Sequence, residues 1–504
     1  MQVPAAMWLI AIPLLAVPVV YLVGHMSRDH AADFSGPAAA RWTALTALVA
    51  GIFPFARAAH ELSLYGPASF ALGFIHLRAD GLTLLMAGIV YVLAIAGVLF
   101  AGPDVAGDAD EEKFYALLLI LMGTTVGLVS AGDLFNLWLW FETMAISSYL
   151  LVAFYRQRPA TLEASVKYLV QSGTGSILVL LGIALVLAQT GSLDLAQIRQ
   201  TATPSPGLLA AGALFLVGFG VKAALVPFHT WLPDAYGEAP TTVSAILSGV
   251  VTEAGLVAML RALAALAGVS LSWGLLLMGF GGLNMLVGNL LALRQQRVKR
   301  LLAYSSLTHI GYMSLGLGIA IHAGQLAGAQ GGFFHLVNHG LMKGLAFLAA
   351  GALLFALRLG LGDGEHGALT IADLRGVARR YPVVALTLSI GLLGLGGLPP
   401  LAGFMSEWQI FTAGFLTQEA AIEGLVVFAA LMSVMSMAYY VPLINAMYRQ
   451  ETSQAVEAGA AIPGVILLPL VLLALAVVAI GLWPGLLAWL TAPAGAALLA
   501  AFGG

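Results

Sequence analysis

The sequence predicts an all-α polytopic membrane protein with about 14 transmembrane helices, and three observations predict it. The 504 residues are 60% hydrophobic and only 9% charged, against about 25% charged in soluble domains. Apolar runs near 20 residues, roughly the length that crosses a bilayer as a helix, recur along the whole chain. Two of these runs are interrupted, at "VPFHTWLPDAYGEAP" and "GLGGLPPLAGF". Broken backbone survives at membrane depth only where protein or a wet cavity satisfies it.

The predicted spans run over roughly 4–24, 39–56, 80–101, 113–131, 134–155, 165–189, 207–232, 241–267, 271–293, 300–322, 330–358, 382–417, 422–447 and 463–487. The N-terminal run lacks a basic leader and a small-residue cleavage site, so it reads as span one. Span two is short and ends at Arg57. Span seven is broken around Pro227, Pro233 and Pro240, and span twelve at Pro399 and Pro400, because proline removes a donor from the helical ladder. Loops after odd-numbered spans collect Arg156, Arg158, Arg294, Arg297, Lys299, Arg300, Arg358, Arg375, Arg379, Arg380 and Arg449. Loops after even-numbered spans hold only Arg57, Arg78 and Arg199. The excess of positive charge on cytoplasmic loops then puts both termini outside a prokaryotic-type inner membrane.

Broken spans in corresponding places of two halves point to an inverted repeat. The expected organisation is residues 1–112 for spans one to three, 113–267 for a first five-helix unit, 271–447 for a second, and 448–504 for span fourteen and a tail. The net charge of −3 and the lack of a basic tract exclude a nucleic-acid partner. Cysteine is absent, so no disulfide, thiolate metal site or cysteine-ligated iron–sulfur cluster can form. Electrons, if the protein serves electron transfer, pass through other subunits; other membrane subunits of a multisubunit complex are expected partners. No cofactor is expected.

Lys222 is the residue that speaks most directly of function. It lies in an apolar span, where a charge costs roughly 2.5–3.5 kcal/mol on insertion scales and is usually paired. Glu142, in span five, is its expected partner. Burial and a nearby opposite charge shift a lysine's proton affinity in opposite senses, so moving Glu142 toward or away from Lys222 would take up or release a proton. The alternative is a static ion pair joining two helices. His229 follows in the broken segment. Glu253 sits mid-span eight and is expected to hold a proton at rest unless Lys222 pairs with it. Arg261, two turns on, is expected to snorkel to the interface.

In the second half His309 lies in span ten, and His335, His339 and Lys343 recur every fourth residue on one face of span eleven. Histidine titrates nearest neutral pH, which suits a proton relay. Core histidines and bis-histidine haem ligands are competing readings. A zinc site is not expected, since residue 336 is leucine and H-E-x-x-H fails. Glu407 closes the series after the break in span twelve. Lys167, with Glu163 four residues before it, suggests a surface pair or an additional relay lysine.

Taken together, "GDLFNLWLWFE", "VKAALVPFHTWLPDAYGEAPTTVSAILSG", "RVKRLLAYSSLTHIGYM", "FHLVNHGLMKGLAFLAAG" and "GLPPLAGFMSEW" resemble the antiporter-like subunits of respiratory complex I and of the multisubunit Mrp cation/proton antiporters. The resemblance runs from about Asp80 to Tyr448. It implies two inverted five-helix units around a hydrated axis. It matches Glu142 and Lys222 to the family's key glutamate and lysine, and Glu407 to its terminal ionisable group. The family's usual lysine in mid-span eight is replaced here by Glu253. The resemblance implies a proton-translocating subunit of a complex I-like (NADH:quinone oxidoreductase-type) redox-driven complex, of the M or N type. The alternatives are a D-type subunit of a sodium/proton antiporter and a membrane scaffold for a hydrogenase or carbon dioxide-hydrating module.

Overall fold

The computed structural model describes residues 4–29, 38–73, 75–105, 108, 110–269, 272–361, 368–449 and 451–503. The expected start of the second unit at 271 and part of the loop after span three, residues 106, 107 and 109, lie outside the described residues. Among the described residues, 12 helices are long and apolar enough to cross a membrane, and two shorter apolar helices, Pro206–Lys222 and Pro382–Leu395, begin the broken spans. Span ten, Val298–Ala323, is 26 residues long but more polar, because it carries buried serines, a threonine and a histidine.

Three elements differ from expectation. Span two runs on to Tyr65, past Arg57, whose charge is taken up by Glu61 one turn on at 2.9 Å. An antiparallel hairpin, Ala68–Leu72 with Ile75–Ala79, follows it; five-residue strands leave too little alternation to be read from sequence. The tail after 487 is helical: Gly464–Leu482 turns at Pro484–Leu487 into a further helix, Ala488–Phe502. Apolar side chains facing outward along one side of span six (Leu162, Val166, Leu169, Val170, Ile177, Leu181) suit lipid or another apolar subunit.

Contacts sort the connections into two faces. The hairpin after span two bonds the loop after span four through Arg78 N–H to Ser130 O, 2.6 Å. A bridge from Asp133 to Asp194 then joins the loops after spans four and six. Both chain ends lie on this face: the Ala5 amide donates to Glu61 at 3.1 Å, and Arg199 donates to Ala500 O. On the other face Arg156 meets Asp110 at 3.2 Å, Arg297 bridges to Thr370, and Gly376 N–H donates to Ala446 O at 3.0 Å. That second face holds the basic odd-numbered loops, as the parity of the spans requires.

The two breaks are braced by protein. In span seven the helix stops at Lys222 and resumes at Leu232–Glu238. Asn284 of span nine accepts Val226 N–H at 2.8 Å and donates to Ala224 O at 3.1 Å. In span twelve the gap lies between Leu395 and Ala402, and Asn338 donates to Ala402 O at 2.9 Å. Of the prolines expected to break helices, Pro227, Pro399 and Pro400 lie in non-helical backbone. Pro233 and Pro240 instead sit at helix starts, where a missing N–H costs nothing. Gly397 takes a positive φ of 66°. That backbone favours glycine, and a Cβ there would stand 2.6 Å from Glu407 Oε2 and displace that carboxylate.

Candidate functional site

Lys222 ends the first part of span seven fully buried. Its Nζ donates to Ser148 Oγ at 3.0 Å and to the Tyr168 hydroxyl, and lies 4.7 Å from the centre of the Tyr168 ring. Ser148 gives its own proton to Ala145 O at 2.7 Å. The 2.8 Å contact between the two hydroxyls therefore has Tyr168 as donor. Tyr168 stacks on Trp231 with centroids 4.1 Å apart, and Trp231 donates to Val221 O at 2.8 Å. The broken segment thus folds back and fixes the ring that holds its own lysine.

The expected Glu142–Lys222 ion pair is not formed: no approach within 4.0 Å joins them. Glu142 is half-buried and within electrostatic range only. It precedes Ser148 by six residues on one helix, about 9 Å of rise, so the hydroxyl rather than the carboxylate reaches the lysine. His229 is buried with Nδ1 unpartnered. Lys167 lies apart on the basic face, paired with Glu163 at 2.7 Å and Asp234 at 3.1 Å.

Span eight is buried throughout and contains a π-helical turn, Leu247–Val251. The carbonyl of Leu247 accepts from the Tyr236 hydroxyl at 2.9 Å and from Thr252 Oγ1 at 3.1 Å. Such turns insert a residue and re-aim the side chains beyond them, here beginning with Thr252 and Glu253. Glu253 Oε1 meets His339 Nδ1 at 2.6 Å, with both side chains wholly buried. The partner of Glu253 is therefore a histidine of span eleven, not Lys222.

The His339 ring lies 5.1 Å from His309, centroid to centroid, and His309 Nδ1 lies 3.1 Å from His335 Nε2. His335 Nδ1 meets Ser406 Oγ at 3.0 Å. Ser406 spends its proton on backbone carbonyls, Gly403 O at 2.9 Å and Ala402 O at 3.2 Å, so it accepts from His335. That fixes neutral His335 as the Nδ1–H tautomer, with Nε2 accepting the His309 proton. Lys343 is buried and donates to Leu302 O at 2.7 Å and to Ser305. Glu407 Oε2 accepts from Ser433 at 2.7 Å, while Oε1 has no partner.

Among the described residues these groups form separate hydrogen-bonded segments: Lys222 with Tyr168 and Ser148, Glu253 with His339, the His309–His335–Ser406 string, Lys343 with Ser305, and Glu407 with Ser433. Sequence reasoning named the ionisable members and missed the neutral ones. No periodicity marks which serine or tyrosine will face a lysine on another helix.

Arg261 does not snorkel. It makes a two-pronged pair with Asp80 at 2.9 and 3.1 Å and donates to Val129 O at 2.7 Å and Thr83 at 3.1 Å. Asp80, just before span three, also accepts the Thr83 amide at 2.9 Å. Burial alone would raise the Asp80 carboxyl; the Arg261 charge and hydrogen bonds, the Thr83 amide and Arg78 outweigh it and hold it below the usual carboxylate range.

Comparison with known proteins agrees with this architecture. Residues 131–433 match the family described as NADH:quinone oxidoreductase/Mrp antiporter, TM. NADH-quinone oxidoreductase subunit N 1 of Sorangium cellulosum is 34% identical over 475 residues, 89% of each chain. A chain of the membrane-bound sulfane sulfur reductase, an archaeal respiratory membrane complex, superimposes with a TM-score of 0.86 at 30% identity, covering 99% of this chain and 98% of that one. A chain of respiratory complex I from Thermus thermophilus does so with a TM-score of 0.76 at 28% identity, covering 95% and 98%. The chain belongs to the family of antiporter-like membrane subunits that NADH:quinone oxidoreductases and Mrp antiporters share.

Proposed function

We propose that this chain translocates protons as the antiporter-like membrane subunit of a complex I-like, redox-driven assembly. The observation that carries the reading is the Glu253–His339 contact, 2.6 Å long and wholly buried. It joins span eight of the first five-helix unit, 113–267, to span eleven of the second, 271–447, the two units being inverted relative to each other. Two residues beyond Glu253, a Cβ at Gly255 would stand 3.0 Å from Lys222 Cβ, so span eight runs past the Lys222 site as well as the histidine string, without a hydrogen bond linking the two among the described residues. Glu142 modulates Lys222 at a distance; His309, His335, His339 and Lys343 carry the proton onward; Glu407 exchanges it at the far end. His229 offers an unpartnered nitrogen beside the first break. Lys167, tied into surface ion pairs, is left out of the path.

Other membrane subunits are its partners, and other subunits of the assembly supply the redox chemistry, in keeping with the respiratory complexes that contain similar chains. The basic face is assigned to the cytoplasm and both termini to the outer side. Sodium is disfavoured as the transported ion. It needs several oxygen ligands at one place, whereas Glu142, Glu253 and Glu407 stand at three. The test is Lys222→Met in the reconstituted complex. Assembly and redox turnover measured without a proton gradient should persist while proton flux disappears; wild-type flux would refute the proposal.

A further inference from the structure

The histidine string and Glu407 converge more tightly than a relay requires. One ligand atom each from His309, His335 and Glu407 lies within 4.8 Å of the other two. All three side chains are buried, at 1%, 0% and 2% exposure. They come from spans ten, eleven and twelve, so no local motif announces them, and the sequence reading expected no metal.

Zinc takes imidazole nitrogen and carboxylate oxygen at roughly 2.0–2.2 Å, and tetrahedral angles then set ligand atoms about 3.4 Å apart. The His309–His335 nitrogens already stand at 3.1 Å. Two further features favour a ligand. Glu407 Oε1 is buried with no hydrogen-bond partner. His335 is oriented from behind, its Nδ1–H held by Ser406 so that the Nε2 lone pair faces the cluster, the outer-shell arrangement that metal-binding histidines use.

We propose that His309, His335 and Glu407 form a site for a divalent transition-metal ion of the zinc class, which on binding blocks proton passage at this point. His335 Nε2 donates its free lone pair. The proton on His309 Nδ1 moves to Nε2, so the imidazole stays neutral and its Nδ1 lone pair is free to coordinate the ion. Glu407 coordinates as the carboxylate, releasing any proton it holds, and water fills the fourth position. Two neutral nitrogens and one carboxylate suit zinc or cobalt over magnesium or calcium, which prefer all-oxygen sets. Metal binding stands independently of the relay; the blockade rests on the proton-translocation reading.

The test uses the full-length chain in detergent, stripped with a chelator and equilibrated with cobalt(II), whose visible bands report tetrahedral coordination, and then with zinc as competitor. Wild type should bind one ion. Glu407→Gln, close in shape to the native side chain, and separately His309→Gln should each weaken binding at least about tenfold. His322→Gln, at the surface imidazole–carboxylate pair with Glu419, should bind as wild type does. A wild-type chain without the cobalt bands, core variants that titrate like wild type, or loss of the ion in His322→Gln would each overturn the site. Zinc bound to the wild-type complex with proton flux unchanged would overturn the blockade and count against the relay here, while the site would stand.

Discussion

Lys222 and Arg261 are both buried cations of the first half, and their surroundings differ in kind. Arg261 meets a carboxylate with two prongs and spends two further donors on Thr83 and the carbonyl of Val129. Lys222 touches only neutral hydroxyls and a ring face, with Glu142 out of contact. The first arrangement holds its charge in one state. The second leaves a charge whose cost of burial is met only in part, so a small change nearby can decide whether the proton stays. Lys343 repeats the second pattern against a backbone carbonyl and Ser305. Among these buried cations the closed pairing of Arg261 fixes its charge, while the open pairing of Lys222 and Lys343 is the kind the proposed proton path uses.

Breaking each side of that contrast should give opposite outcomes. Lys222→Met is expected to drop proton flux to background, the largest effect, while leaving thermal stability unchanged or raised, because an apolar side chain replaces an unpaired buried charge. Unfolding before any flux could be measured would overturn the assignment of Lys222 as the open site. Asp80→Asn should do the reverse. Stranding a buried guanidinium costs about 3–5 kcal/mol, read as a lower unfolding midpoint in detergent.

The Asp80 carboxyl also gives a pH signature. Its affinity for protons is depressed in the fold, so its contribution is fully present above the unfolded carboxyl value near 3.9 and is lost as pH falls through the lower folded value. Wild type should lose stability on acidification below about pH 4 more steeply than Asp80→Asn. Parallel curves for the two proteins would remove Asp80 as the closed partner.

Spans, breaks and the ionisable residues were legible in the sequence because hydrocarbon length, proline and charge in an apolar run act locally. His309 facing His335 was within reach of sequence reasoning, as a possible pair of facing ligands. The Asn284 and Asn338 braces, the Ser148–Tyr168 cradle and the Asp80–Arg261 clasp were not. Each joins residues at least 20 positions apart, and hydroxyls and amides are common on apolar helices. The Glu253–His339 contact depends on a π turn that no residue in "LSGVV" announces. The Glu142–Lys222 pair failed for a simpler reason: two charges in a membrane suggest attraction, but the heights of helical residues decide contact.

The contrast can be sharpened at the cradle itself. Tyr168→Phe keeps the stack on Trp231 and removes one acceptor from Lys222. A hydrogen bond to a charged group is worth about 1.5–3 kcal/mol, so flux should fall about tenfold rather than vanish, since Ser148 remains. Ser148→Ala should behave alike, and the double variant should approach Lys222→Met. An undiminished flux in the double variant would mean that the hydroxyls merely fill space. At the small end stands Lys167→Ala. Lys167 is about half exposed and shares Asp234 with Arg300, which approaches that carboxylate at 3.1 Å. Water and Arg300 compensate for its loss, so flux should stay at the wild-type level. A deep loss there would mean that protons enter the chain beside Asp234, and the open side of the contrast would then extend from Lys222 to the basic surface.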